Sequence, residues 1–282
     1  MMRCRCLLLA VLVVLHLAAG CAPEGDTPRH APAPGEEQAE TEATLTVFAA
    51  ASLAGAFAAI EQAFEVVHPG VDVVLNLAGS QQLAQQLGLG APADVFASAN
   101  PQQMQAAVEA GRVESDAPQP FASNRLVVVV PEDNPAGPVR LQDLARPGLR
   151  LVLAAEEVPV GRYSRHFLEK ASRDEAFGAE YGQQVLAQVA SFEQNVRAVL
   201  TKVALGEADA GIVYTSDLVG AGADGVARID IPDAFNSVAF YPIAPVSESP
   251  HPDLARAFVV FVLSSEGQEI LTRYGFAPAR PS

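Results

Sequence analysis

Apolar runs of strand character alternate with amphipathic helical segments from Thr44 to near the end of the chain. TLTVFAA (44–50), β-branched and apolar, predicts a strand. Across 53–68, Leu53, Phe57, Ile60 and Phe64 share one face at helical spacing, and His68-Pro69-Gly70 stops the helix. VDVVLNLA (71–78) predicts the next strand, 81–90 a short helix closed by Gly90, and 93–98 a strand. Residues 101–111 predict a helix with Pro at its first turn and Gly past its end. RLVVVV (125–130) has the unbroken apolar pattern of a fully buried strand. Beyond a short LQDLA segment at 141–145, the pattern predicts strands at 149–154, 189–192, 208–214 and 237–246. The helices of this half fall at about 161–171, 178–188, 195–206, 253–264 and 265–275. Such alternation predicts an α/β fold with largely parallel sheets.

The beginning of the chain reads differently. Arg3 and Arg5 precede an apolar run, Leu7 to Leu17, too short to span a bilayer, and Ala18-Ala19-Gly20 lead to Cys21. Residues 1–20 are therefore expected to be a secretory signal peptide. A cysteine directly after small residues resembles a bacterial lipobox, although Leu17 stands one place further from it than the usual leucine. That resemblance implies lipidation of Cys21. Residues 22–43 are rich in Ala, Pro, Glu and Gly without an aromatic residue, and read as a disordered tether. Cys4 and Cys6 fall in the signal, so a mature chain keeps Cys21 alone, with no internal disulfide or cysteine metal cluster. No later apolar run suits a membrane span, so the expected membrane attachment is lipid only. The formal charge of −15 becomes −17 without Arg3 and Arg5, which argues against nucleic acid as a partner.

Candidate chemistry gathers where strands end. Ser52 follows the first strand and Ser80 the second, each expected as a helix N-cap. Val158-Pro159-Val160-Gly161 and Glu193-Gln194-Asn195-Val196 enter two more helices after strands. In open α/β sheets ligands bind beyond the carboxyl ends of strands. Helix N-termini there offer unpaired N–H groups and partial positive charge, enough to hold an oxyanion without Lys or Arg. Serine at an N-cap is also a common stabilising device worth about 1 kcal/mol with no ligand involved. No G-x-S-x-G elbow, H-E-x-x-H motif or P-loop is present. His30, His68, His166 and His251 form no ligand pair at helical spacing and are expected to face solvent; Asp94, Asp209 and Asp217 near strand ends are expected to be structural or exposed.

VFAAASL (47–53), AGSQQLAQQLGLGAPADVFASAN (78–100), RLVVVVP (125–131), VPVGRYS (158–164), NVRAVLTKVALGEADAGIVYTSD (195–217) and RYGF (273–276) together resemble the periplasmic molybdate-binding proteins of ABC transporters. The resemblance covers about Thr44 to Ala277 in family order. It implies a type II periplasmic-binding-protein fold, two α/β lobes closing over a ligand cleft. Its implied division is lobe 1 at 44–122 and 237–282, and lobe 2 at 123–236, with crossings near 120–125 and 234–240. Carried over residue by residue, the oxyanion contacts fall on Ser52, Ser80, Val160, Val196 and Tyr214. Hydroxyl and backbone N–H groups would come from the serines, backbone N–H groups from the valines and a phenol from Tyr214. Metal would be bound only as its oxyanion, with no cofactor. The implied role is an extracytoplasmic lipoprotein that captures molybdate, and tungstate with it, for an ABC permease; a monomer and no enzyme is expected. This chain departs from the family at Gly79, where Ser is frequent, at Val160, where a smaller residue is usual, and in AAEEVPVGRYS against the more usual DPxxxPAGxYA.

The residues leave other readings open. Molybdate is a fully deprotonated tetrahedral dianion, so a donor-only pocket suits it, but sulfate shares its charge and shape. An iron receptor would want paired tyrosines with His or carboxylates, against which the lone Tyr214 of its motif argues, and a deaminase on the same scaffold would need a reactive cysteine that the mature lobes lack.

Overall fold

The computed structural model describes residues 43–220 and 224–279; the signal, Cys21 and most of the tether lie outside them. The chain first forms β1 (Ala43–Ala50), α1 (Ala54–Val67), β2 (Val71–Ala78), α2 (Ser80–Gly88), β3 (Val95–Ala97), α3 (Pro101–Glu109) and β4 (Gln119–Asn124). There follow β5 (Leu126–Pro131), β6 (Leu151–Ala154), α4 (Pro159–Ser172), α5 (Tyr181–Leu186), β7 (Val189–Glu193), α6 (Val196–Ala204), β8 (Ala210–Tyr214) and β9 (Val226–Asp230). The last elements are β10 (Ala239–Pro245), α7 (Pro252–Leu263), α8 (Ser265–Arg273) and β11 (Ala277–Pro278). Short 3₁₀ turns occupy Ala51–Leu53, Leu141–Ala145 and Thr215–Leu218.

Two sheets result. The first runs β11-β4-β10-β3-β1-β2 and the second β7-β6-β8-β5-β9, giving two α/β lobes. The chain passes from the first sheet to the second at Arg125, between β4 and β5, and returns between β9 and β10. A buried asparagine pins each passage. Asn124 Oδ1 accepts from the Arg125 N–H at 2.9 Å and from the Thr215 hydroxyl at 2.9 Å. Asn236 Oδ1 accepts from the Leu126 N–H at 3.0 Å, while its Nδ2 donates to the Leu126 carbonyl at 2.8 Å.

The sheets are mixed rather than largely parallel. β1 pairs in parallel with β2 and β3, and β6 with β7 and β8, but β10 runs antiparallel to β3 and β4, and β5 to β8 and β9. Only strands joined by a helical crossover within one sheet are held to the parallel arrangement. β5 and β10 arrive from the other sheet and escape that constraint.

Alternation along β1 sends side chains to two cores. Leu45, Val47 and Ala49 join Phe57, Ile60 and Phe64 of α1 and Phe258 of α7 on one face. Phe48 joins Leu83 and Leu87 of α2 and Met104 of α3 on the other. Leu53, Phe57, Ile60 and Phe64 are wholly buried, as their spacing predicts. The helices on both faces fix the carboxyl end of the sheet, and so the positions of the loops beyond it.

Candidate functional site

Beyond the carboxyl ends of β1, β2, β6 and β7 lies a small cavity between the lobes. Six residues of the first lobe line it, Ala50, Ala51, Ser52, Gly79, Ser80 and Ala99, and six of the second, Val158, Pro159, Val160, Asn195, Val196 and Tyr214. All five sequence-predicted contacts are thus brought together. The empty space, about 210 Å³ including the part open to solvent, falls below the roughly 300–1,000 Å³ of pockets for drug-sized molecules. The cavity fits a small ion. Its lining carries no Lys, Arg, Asp, Glu, His or Cys.

Neither serine caps a helix as the sequence predicts. Ser52 sits inside the 3₁₀ turn that links β1 to α1, and its Oγ lies 3.0 Å from the Tyr241 hydroxyl. Ser80 is the first residue of α2, with Gly79 as the N-cap. The Ser80 Oγ instead accepts from the Ala99 N–H at 3.0 Å. A backbone amide can only donate, so the Ser80 proton is free to turn elsewhere. Ser80 is 1 % exposed and faces the cavity. In both cases tertiary contacts, from the segment after β3 and from β10, claim an oxygen that local capping would otherwise use.

The second lobe presents backbone. Asn195 caps α6 by accepting from the Ala198 N–H at 3.0 Å, leaving the Val196 N–H in the unpaired first turn. Pro159 opens α4, where its missing N–H costs nothing, and Val160 follows in the same first turn. Close approach at Gly161 holds α4 against β6: a Cβ there would stand 1.9 Å from the Ala155 carbonyl oxygen. Both first turns aim partial positive charge at the cavity.

The Tyr214 phenol is 1 % exposed and has no hydrogen-bond partner among the described residues. Burial pushes its pKa well above the ordinary value, so it remains neutral with a proton to donate. Behind it, Asp217 Oδ2 accepts from the Tyr214 N–H at 3.0 Å, and Oδ1 lies 4.0 Å from Arg197 Nε. Burial, opposed by the Tyr214 N–H and Arg197, raises the Asp217 pKa to about 7.

The lobes touch at the rim. Gln81 Nε2 donates to the Gln194 carbonyl at 2.8 Å, and Gln103 Nε2 to that of Glu157 at 3.2 Å. A Cβ at Gly79 would lie 2.4 Å from the Gln194 oxygen, so glycine at this departure from the family pattern permits the close approach.

The other polar candidates stand apart. Asp94 accepts from the Thr46 N–H at 2.7 Å, and Asp209 pairs with Arg150 at 2.8 Å; both are structural. His166 is exposed, but His68 and His251 are half-buried, against the expectation that they face solvent, and His68 stacks on Phe64 with ring centroids 3.9 Å apart. His30 lies outside the described residues. Among the described residues no group of three or more His, Cys, Asp or Glu is placed to hold a bare metal ion, and no helix is long and apolar enough to cross a membrane. Sequence reasoning missed Asn195 as a cap, although an Asn before a helix is a legible signal. It also missed Tyr241, whose contact with Ser52 spans 189 residues and leaves no local trace.

Residues 45–277 match the family of bacterial extracellular solute-binding proteins. The molybdate-binding protein ModA of Mycobacterium tuberculosis is 39 % identical over 94 % of this chain and 96 % of its own length. The Escherichia coli ModA is 34 % identical over 83 % of this chain and 89 % of its own. Among solved structures, the substrate-binding domain of a putative molybdenum ABC transporter from Clostridium difficile superposes with a TM-score of 0.62 at 29 % identity, covering 85 % of this chain and all of that one. The sulfate-binding protein SubI of Mycobacterium tuberculosis shares the fold with a TM-score of 0.75 at 21 % identity, covering 85 % of this chain and 88 % of its own. The chain belongs to the bacterial extracellular solute-binding proteins and is a relative of the ModA molybdate-binding proteins.

Proposed function

We propose that this solute-binding protein captures molybdate, and tungstate by the same chemistry, and delivers it to the permease of an ABC importer. The observation that carries the reading is a small cavity whose polar groups are neutral donors and which no carboxylate lines. Hydroxyls of Ser52, Ser80 and Tyr214 and backbone N–H groups of Val160 and Val196 hold the dianion. A dianion that cannot donate hydrogen bonds is matched by such a set, whereas a protonated phosphate would need an acceptor. Contacts from both lobes make the bound ion favour the closed form. The first lobe ends with β4 at Asn124, two residues past the expected boundary at 122, and resumes with β10; the second lobe lies between. The protein acts as a monomer without a cofactor, catalyses no reaction, and is held outside the cytoplasmic membrane by lipid on Cys21.

Calorimetry of the soluble domain with molybdate, tungstate, sulfate and phosphate tests the ligand. Tight binding of the first two alone is expected; a preference for sulfate would overturn the assignment. Cys21→Ser should release the full chain from membranes, and retention would contradict the lipid anchor.

A further inference from the structure

Behind Ser52 lies a buried polar chain that the five anion contacts leave unused. Tyr241 is fully buried among Phe121, Phe276 and Tyr214, with ring centroids 6.3, 5.4 and 5.9 Å away. The β10–β4 register shifts between Tyr241 and Pro242, a bulge consistent with a proline that cannot donate to the ladder. Such irregularities re-aim side chains, and here the phenol reaches Ser52 Oγ at 3.0 Å. Asn124 Nδ2 stands 3.5 Å behind the phenol oxygen, a long contact, and 2.7 Å from Ser216 Oγ.

The proton order along this chain is fixed from one end. The Arg125 N–H can only donate, and it meets the Asn124 side chain at 2.9 Å. The atom it meets is therefore the amide oxygen, which leaves Nδ2 as an obligate donor toward Tyr241 and Ser216. With Asn124 donating to its oxygen, the phenol has one acceptor in hydrogen-bond geometry for its own proton among the described residues, Ser52 Oγ. A phenol is also a stronger donor and weaker acceptor than an alkyl hydroxyl, which favours the same direction. Ser52 Oγ then accepts from inside the protein, and its own proton is free to turn to the cavity that Ser52 lines.

We propose that Tyr241, backed by Asn124, is a positioning residue that fixes the Ser52 hydroxyl as a donor to the bound oxyanion. It does for Ser52 what the Ala99 N–H does for Ser80, with a side-chain relay replacing the backbone amide. The relay begins at the passage between the lobes, so the donor set of the first wall is tied to the hinge. Burial pushes the Tyr241 pKa far above its ordinary value, which keeps the donating proton in place.

The inference rests on the anion-binding reading and is tested by a double-mutant cycle of Tyr241→Phe and Ser52→Ala. Affinity for molybdate is read by calorimetry and folding by thermal unfolding. Phenylalanine keeps the ring packing, and Asn124 keeps its bond to Ser216, so the variant should fold. Y241F should weaken molybdate about tenfold in the wild-type background and less than about twofold in the S52A background. It should also narrow the preference for molybdate over phosphate, because a freed Ser52 can accept from a protonated anion. An equal loss in both backgrounds, or no loss in the wild type, would overturn the proposal. If the wild type takes sulfate and refuses molybdate, the ligand assignment falls, and the same cycle read with sulfate decides the relay. If the wild type binds no oxyanion, both fall.

Discussion

The two walls of the cleft offer hydrogen bonds by different means. The first-lobe wall uses hydroxyls, Ser52 and Ser80, each with its oxygen engaged by another part of the same lobe. The second-lobe wall uses the first turns of α4 and α6, where side-chain identity is incidental and the backbone path is what counts, with the Tyr214 phenol added. Side chains can therefore vary without loss on the second wall but not on the first. Hydroxyls need particular residues and particular neighbours behind them. Backbone amides need only that the helix begin in the right place, which Pro159, Gly161 and the Asn195 cap secure. Valine at 160 in place of the family's smaller residue fits this division.

The largest effects are expected on the hydroxyl side. Ser52→Ala and Ser80→Ala should each weaken molybdate binding about tenfold to a hundredfold, from about 1.5–3 kcal/mol per hydrogen bond to a charged group. Each also strands a buried group, the Tyr241 phenol or the Ala99 N–H, so stability should fall by about 1–3 kcal/mol while the fold is kept; unchanged affinity by calorimetry would move the site elsewhere. Gly79→Ala comes next. Its methyl group meets the Gln194 oxygen across the rim, so closure should be impeded and affinity fall about tenfold, roughly 1.4 kcal/mol. Small-angle scattering with molybdate present should show a more open particle than the wild type.

The second wall is also probed by pH. In the fold Asp217 is raised from its ordinary 3.8 to about 7 by burial. Between those values the folded chain keeps a proton that the unfolded chain has released. Stability contributed below about pH 4 is therefore lost as pH rises toward about 7, by at most about 1.4 kcal/mol per unit. Asp217→Asn keeps an oxygen for the Tyr214 N–H and cannot titrate. Denaturant unfolding of the variant should show a flatter pH dependence across this window. The smallest effects belong to Val160→Ala and Val196→Ala: loss of buried methyl groups should lower the unfolding temperature, while affinity stays within about threefold. A loss as large as that of the serine variants would erase the distinction between the walls.

Much of the fold was legible because period and punctuation agree. The buried face of α1 and the bounds of β2 follow from spacing alone. β4, β9 and β11 were not predicted as strands. QPFASN at β4 mixes a proline with polar residues, VARID at β9 is a mixed edge, and β11 is two residues long. Each is held by its partners rather than by its own propensity. The mixed strand directions were equally hidden, since they depend on which sheet a strand comes from. At the site, residues at strand–helix junctions were legible as a set, because that topology puts them at one edge of each sheet. What stands behind them was not: Tyr241 and Asn124 reach Ser52 and Ser216 only through the tertiary fold.

A crystal structure of the soluble domain with tungstate, the metal located by its anomalous scattering, shows where the anion sits and which groups hold it. Tungsten is expected in the cavity between the lobes, its oxygens about 2.7–3.1 Å from Ser52 Oγ, Ser80 Oγ, the Tyr214 hydroxyl and the Val160 and Val196 nitrogens. A Lys, Arg or carboxylate touching the ion, or an ion bound elsewhere with the cavity empty, would contradict it.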